Sequence, residues 1–173
     1  MEIRKCTVKD VDILQMVCRQ TFAETFLPFN TEHNVQKYMD QAYSLEALTK
    51  DLQDADSVIY LAFHEGEAVG HLKLNRGQAQ TEKDYPGSME IHRIYVLQDY
   101  KRLGIGKQFM DIAFHQAKEW QVDYIWLGVW EHNEPALKFY KKMGFKPFRT
   151  HIFTMGDKTQ TDYILRKEIA VVG

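Results

Sequence analysis

Residues 92–129 constrain this chain more than any other stretch. "HRIYV" has the β-branched and aromatic character of a strand, and "LQDYKRLGIG" is a basic loop bearing two glycines. Ile105, Phe109, Ile112, Ala113 and Ala117 then recur at helical spacing, marking one face of a helix that ends near Trp120. "YIWLGV" follows as a near-continuous apolar run, the signature of a central strand covered on both faces. A strand, a helix and a second strand in that order predict one parallel pair joined by a helical connection.

The remaining elements organise around this unit. A short strand over residues 2–6 leads to Thr7 and Asp10, a variant capping box, and to a helix over about 8–23. Pro28, Phe29 and Asn30 interrupt it; Thr31 caps a second helix to about Tyr43, and Ser44 opens a short third. "SVIYLAFHEGEAVGHLKLN" reads as a hairpin turning at Glu65-Gly66, residues 76–87 as a polar loop, and "MEIHRIYV" as the next strand. Strict alternation there places Glu90, His92, Ile94 and Val96 on one face and Ile91, Arg93 and Tyr95 on the other. A helix from Pro135 to Met143 stops at Gly144, and two strands near 146–155 and 160–168 flank "GDK". Nothing in 1–173 reads as a linker or an internal repeat, so a single domain is expected.

Composition excludes several classes of function. A formal net charge of -2 argues against nucleic-acid binding by a broadly basic surface, so any phosphate site must be local. "VIYLAF" is too short to span a bilayer and "MEIRKC" lacks a secretory apolar core, which predicts a cytoplasmic protein without a membrane partner. Cys6 and Cys18 form no CxxC and are expected to be reduced, buried thiols. The seven histidines contain no HExxH or clustered spacing, so no metal is expected.

Spacing separates the phosphate-binding readings of the glycine loop. Gly106-Lys107 is followed by Gln108, not the Ser or Thr of a Walker A loop, and no glycine lies five residues upstream. Phe109 occupies the third glycine slot of a dinucleotide fingerprint, and a loop separates Val96 from Gly104. What remains is a strand, a basic loop and a helix whose first N–H groups approach a pyrophosphate through missing side chains.

"YVLQDYKRLGIGKQFM" together with "WEHNEPALKFYKKMGF" resembles the GNAT superfamily of acetyl-CoA-dependent N-acetyltransferases. The resemblance implies an α/β (α+β) fold: a mixed, mostly antiparallel twisted sheet of about seven strands flanked by helices, with one parallel central pair. It also implies acetyl-CoA as cosubstrate, contacted by Ile94, Tyr95 and Val96 of the strand and by the loop residues Lys101, Arg102, Leu103, Gly104, Ile105, Gly106 and Lys107. Lys101 stands where the family has Gln or Arg, which touches a side-chain contact and leaves the backbone donors unaffected. Asn133 is implied to contact the pantetheine arm besides capping its helix, Lys142 to meet a phosphate, and Tyr140 of "FYKKMGF" to face the sulfur. "IWLGVWE", "FYKKMGF" and "MGDKTQTDYIL" look like the PaiA type of spermidine/spermine acetyltransferases.

An amine acceptor needs a proton acceptor, because at pH 7 a lysine-like amine is neutral about one time in 2,500. Glu90 holds the strand position where several GNAT enzymes place a general base; the alternative is a solvated or paired strand-end carboxylate. No serine or cysteine lies in a nucleophile motif, which agrees with direct amine attack. The acceptor is expected to be a small primary amine, with Glu24, Glu32, Glu82 and Asp84 as candidates to line its channel and Trp130 as the tryptophan best placed for a cleft. A homodimer is compatible with this reading. The rivals are an acetyltransferase for another amine (an aminoglycoside, an amino acid or a protein N-terminus) and a non-catalytic coenzyme A-binding regulatory module.

Overall fold

A computed structural model describes residues 1–169. Its strands are β1 (Glu2–Lys5), β2 (Ser57–His64), β3 (Glu67–Arg76), β4 (Ser88–Val96), β5 (Tyr124–Trp130), β6 (Lys146–Met155) and β7 (Lys158–Glu168). The α-helices are α1 (Val11–Phe26), α2 (Glu32–Ala42), α3 (Leu45–Gln53), α4 (Ile105–Glu119) and α5 (Glu134–Lys142). One sheet in the order β1-β2-β3-β4-β5-β7-β6 carries all the strands, and β4–β5 is its parallel pair. The fold therefore has the expected class, with the parallel pair β4–β5 joined through α4.

The helix starts follow from their caps. Thr7 accepts from Lys9 N while Asp10 accepts from Thr7 N at 2.9 Å, and Arg4 grips the same carboxylate at 2.9 and 3.0 Å. This box closes a single 3-10 turn over Val8–Asp10, and α1 proper runs three residues further than its pattern predicted, to Phe26. Thr31 and Ser44 cap α2 and α3 through Asn34 N and Ala47 N.

Both faces of the sheet are covered. Leu14, Val17, Cys18 and Phe22 form the buried stripe of α1 and pack with Val35, Leu48, Ile59 and Leu61. On the opposite face Ile105, Phe109, Met110, Ala113 and Ala117 of α4 meet Leu72, Leu74, Ile91, Ile125 and Leu127, together with Tyr140 and Phe145. β3, in the middle, is buried from Ala68 to Asn75, and its polar residues His71, Lys73 and Asn75 all point to the α1 side. His71 is held between Cys18 Sγ at 3.6 Å and Thr21 Oγ1 at 3.1 Å, and burial lowers its pKa to about 3, so it is neutral. Cys6 and Cys18 are free thiols pushed up to about 12 by burial, as expected of unreactive cysteines.

The alternation expected along β4 fails at one point. Leu74 pairs with Ile91 but Lys73 pairs with Arg93, so His92 is an extra residue and the strand changes parity there. Glu90 consequently shares the α1 face with Arg93 and Tyr95, not with His92, Ile94 and Val96. Ile91 and Ile94 both face α4. A bulge inverts every side chain beyond it, and the polar–apolar pattern of "EIHRIYV" carries no mark of where the extra residue falls.

β3 and β4 approach closely at Gly70, where an added Cβ would lie 2.8 Å from Tyr95 O and 3.2 Å from Phe109 Cε2. Gly70→Ala should therefore destabilise the fold by about 1–3 kcal/mol, as overpacking does in other cores. Chemical denaturation checks this; wild-type stability would show that the two backbones are not in contact there.

Candidate active site

β4 and β5 are hydrogen-bonded neighbours only at Ser88–Tyr124, Met89–Ile125 and Glu90–Trp126. Beyond those pairs the strands run on to Val96 and Trp130 without pairing, so they diverge and open a V-shaped gap in the sheet. Backbone groups of residues 91–96 on that side have no strand partner, and such groups seek one. An extended ligand with amide groups can supply it, in the manner of an added strand.

At the wide end of the gap the chain turns through a 3-10 segment, Gln98–Leu103, into α4. Gly104 sits at φ +76, where only glycine is unstrained, with open space where a side chain would stand. Among the described residues no side chain caps α4, so its first N–H groups are directed outward with the positive end of the helix dipole. Lys101, Arg102 and Lys107 are exposed around them, Leu103 is exposed, and Ile105 is buried beneath. Gly106 lies over Phe139, 3.6 Å from the position of a Cβ. The arrangement fits a diphosphate. Glu24, a channel candidate on sequence grounds, instead accepts from Gln98 N at 3.0 Å and ties α1 to the start of this loop.

α5 closes the gap from the α4 side. Asn133 caps it by accepting from Ala136 N at 3.3 Å through its amide oxygen, and its NH2 makes no hydrogen bond among the described residues. At the other end Gly144, at φ +97, lets Phe145 N–H bond Tyr140 O at 3.0 Å. That turn fixes Tyr140, which is 8% exposed and packs edge-on against Phe139 and Phe145. Its hydroxyl makes no hydrogen bond among the described residues, and burial first, then the nearby Tyr95, hold its pKa above the ordinary range. Lys142 stands exposed in the last turn, at the far end of α5 from Asn133.

Glu90 lies where the strands part, and its surroundings are specific. It is 3% exposed, and its Oε1 accepts from Thr81 N at 2.8 Å and Asn75 Nδ2 at 3.1 Å while Oε2 accepts from Thr81 Oγ1 at 2.5 Å. Burial raises its carboxyl above the usual range, and the Thr81 and Asn75 hydrogen bonds and the charge of Lys73 act against that. Glu90 is thus a paired carboxylate that pins the 77–87 loop to the sheet, with one lone pair of Oε2 left over. At the bulge, His92 Nδ1 is buried without a hydrogen-bond partner among the described residues, and burial keeps the ring neutral.

On the α1 side a cleft of about 200 Å³ opens at the end of β5, lined by Phe26, Phe29, Trp130, Glu131, Met155 and Gln160 among others. Phe29, 58% exposed, stands edge-on to Trp130 with ring centres 4.5 Å apart, so Trp130 does face a cleft. Glu82 is turned away to His151 at 3.1 Å. The carboxylates the structure brings to this side are Glu131 and Asp162, which the sequence pattern passed over because "TQTDYIL" reads as an ordinary half-exposed strand. Among the described residues, no group of His, Cys, Asp and Glu is arranged to hold a metal ion, and no helix is long and apolar enough to cross a membrane.

Comparison with known proteins places this geometry. Residues 19–145 match the acetyltransferase (GNAT) family. An uncharacterized N-acetyltransferase of Lactobacillus delbrueckii subsp. lactis is 35% identical over 169 residues, covering 98% of each chain. A spermidine N(1)-acetyltransferase of Thermoplasma acidophilum is 25% identical over 172 residues, covering 97% of each. Among solved structures, the PaiA N-acetyltransferase of Thermoplasma acidophilum in complex with coenzyme A superposes with a TM-score of 0.79 at 24% identity, over 96% of this chain and 98% of that one. The ribosomal-protein-S18-alanine N-acetyltransferase of Escherichia coli does so with a TM-score of 0.74 at 16% identity, over 99% and 96%.

Proposed function

Because the chain belongs to the acetyltransferase (GNAT) family, we propose that it transfers the acetyl group of acetyl-CoA to a small primary amine by direct attack in a ternary complex, with polyamines as the acceptor class. The observation that carries this reading is the uncapped N-terminus of α4 at the mouth of the β4–β5 gap. The backbone donors of residues 104–107, with Lys101, Arg102 and Lys107 around them, suit a diphosphate, and the unpaired edge of Ile94, Tyr95 and Val96 suits the amides of a pantetheine arm. The amide NH2 of Asn133 adds a donor on the other wall, and Lys142 a charge for an outlying phosphate. Acetyl-CoA supplies an activated acyl group; the chain's task is to hold it in the gap and admit an amine from the opposite face.

In this reading Tyr140 donates its hydroxyl hydrogen to the sulfur as negative charge develops there. At reference values a phenol near 10 is already about 2 kcal/mol too weak an acid to protonate a thiolate near 8.5. Burial raises Tyr140 further, so full proton transfer becomes costlier while hydrogen bonding in a dry site becomes more effective. Glu90 takes the amine proton through a water at its remaining lone pair. A raised carboxyl pKa brings it nearer the range in which a base works, at the cost of ground-state burial. Support for a polyamine acceptor comes from the Thermoplasma acidophilum relative named as a spermidine N(1)-acetyltransferase.

Gly106→Asp should abolish coenzyme A binding in calorimetry while the protein stays folded, since Gly106 has ordinary room for a Cβ but a carboxylate there meets the phosphates. Unchanged affinity would remove the site. Tyr140→Phe keeps the ring packing and should lower turnover by about 10²-fold with little change in acetyl-CoA affinity, as losing one donor to a developing anion does elsewhere. Wild-type turnover with chemistry rate-limiting would take Tyr140 out of the mechanism. For the acceptor, kcat/KM should rise from butylamine through putrescine and spermidine to spermine, and the advantage should shrink as salt shortens the screening length toward about 3 Å at 1 M. Butylamine matching spermine at both ionic strengths, or activity confined to a peptide N-terminus, would reject the polyamine class and keep the acetyltransferase.

A further inference from the structure

On the α1 face of the sheet, Trp126, Gly128 and Trp130 alternate along β5, and Gln160, Asp162 and Ile164 alternate beside them on β7. The glycine leaves a bare, exposed spot between two tryptophans. Asp162 Oδ2 lies 3.9 Å from where a Cβ of Gly128 would be, and the cross-strand neighbours of Asp162 are Trp130 and His151. Its Oδ1 accepts from Gln160 Nε2 at 3.1 Å, and both Gln160 and Trp130 line the cleft at the end of β5. Asp162 also acts electrostatically on Tyr95 across the β4–β5 gap and on Tyr38 of α2, so its charge is felt where the gap and the cleft meet.

The other carboxylates near this place are committed elsewhere. Glu90 is held by Thr81 and Asn75 and Glu24 by Gln98 N, while Glu82 lies 3.1 Å from His151 and Glu131 3.4 Å from His132, contacts that are ion pairs only when the imidazole is protonated. Asp157 accepts from Asn34 at 2.7 Å. Asp162 is half-buried, its one side-chain hydrogen bond comes from the neutral Gln160, and no Lys or Arg nitrogen lies in salt-bridge range of it among the described residues. A half-buried carboxylate without a counter-charge costs free energy that a cationic ligand recovers.

We infer that Asp162 is the group that receives the positive charge of the acceptor amine, in a recess floored by Gly128 and bordered by Trp130 and Gln160. This inference rests on the acetyltransferase reading and names the acceptor-side carboxylate of the same site. An ammonium held here sits on the face opposite α4, so it approaches the gap from the side that the diphosphate loop leaves free. The neighbouring Trp130 face adds attraction for a cation without adding a charge. Burial raises the carboxyl of Asp162, and Gln160 and His151 offset this only in part, which agrees with a site built for a counter-ion.

The test is calorimetry of spermidine with the coenzyme A-loaded protein. Asp162→Asn should weaken spermidine at least about tenfold and flatten its salt dependence, Asp162→Glu should retain most of the affinity, and coenzyme A affinity should stay within about twofold in both. Gly128→Val, which fills the recess and leaves the charge, should also weaken spermidine. Wild-type spermidine affinity in Asp162→Asn or in Gly128→Val, with coenzyme A still bound, overturns the assignment. Turnover of the wild-type protein on amines is measured separately, so a failure of the acetyltransferase reading is distinguishable from a failure at Asp162.

Discussion

The proposed site depends throughout on β4 and β5 separating after Glu90 and Trp126. A parallel pair that stayed zipped would satisfy its own backbone and leave no path through the sheet. The separation exposes unpaired donors and acceptors along one side of β4, and it is stable because the opposite side of β4 remains paired with β3 up to Val96 and β5 remains paired with β7 through Trp130. The bulge at His92 turns the strand at the same place. Gly70, with no side chain to hold the strands apart, lets β3 follow it.

Holding that gap open requires rigid walls, and buried polar groups provide part of them. On the α1 side Asp51 meets both Lys73 at 3.3 Å and Arg93 at 3.5 Å, and Arg93 stacks on Tyr43. Lys73 and Arg93 are 5% and 9% exposed. Such a cluster adds little net stability because desolvation offsets most of the attraction, but removing one member would leave a charge buried alone. It clamps α3 and Tyr43, the residue after α2, to β3 and to the strand that bends. Two anchors, Glu24 of α1 to Gln98 N and Glu90 of β4 to Thr81, do the same for the loop ahead of α4 and the loop after β3.

Apart from the buried Lys73 and Arg93 and from Lys158 in the cleft, the charges named for the proposed site differ between the two faces. The cations of the α4 mouth, Lys101, Arg102 and Lys107, lie on one side of the gap, and the carboxylates Glu131 and Asp162 lie toward the other. A chain of net charge -2 shows neither patch in its totals. In the proposed reaction an anionic donor and a cationic acceptor would be kept to opposite faces of one sheet and would meet only where it is open. Tyr95, influenced by Asp162 and itself influencing Tyr140, marks that crossing.

Local chemistry alone determined the elements and the loop: the caps at Thr7, Thr31, Ser44 and Asn133, the helical stripe from Ile105 to Ala117, the apolar run of β5, and the paired glycines that leave α4 uncapped. These are short-range signals, fixed by steric limits on single residues and by the period of the element each lies in. The parity of β4 beyond His92, the capture of Glu90 by Thr81, the diversion of Glu24 to the loop backbone and the placement of Asp162 beside Gly128 were decided only in three dimensions. Each depends on partners far apart in the chain, such as Glu24 with Gln98 or Gly128 with Asp162, and no pattern within one strand records which distant backbone its side chains will meet.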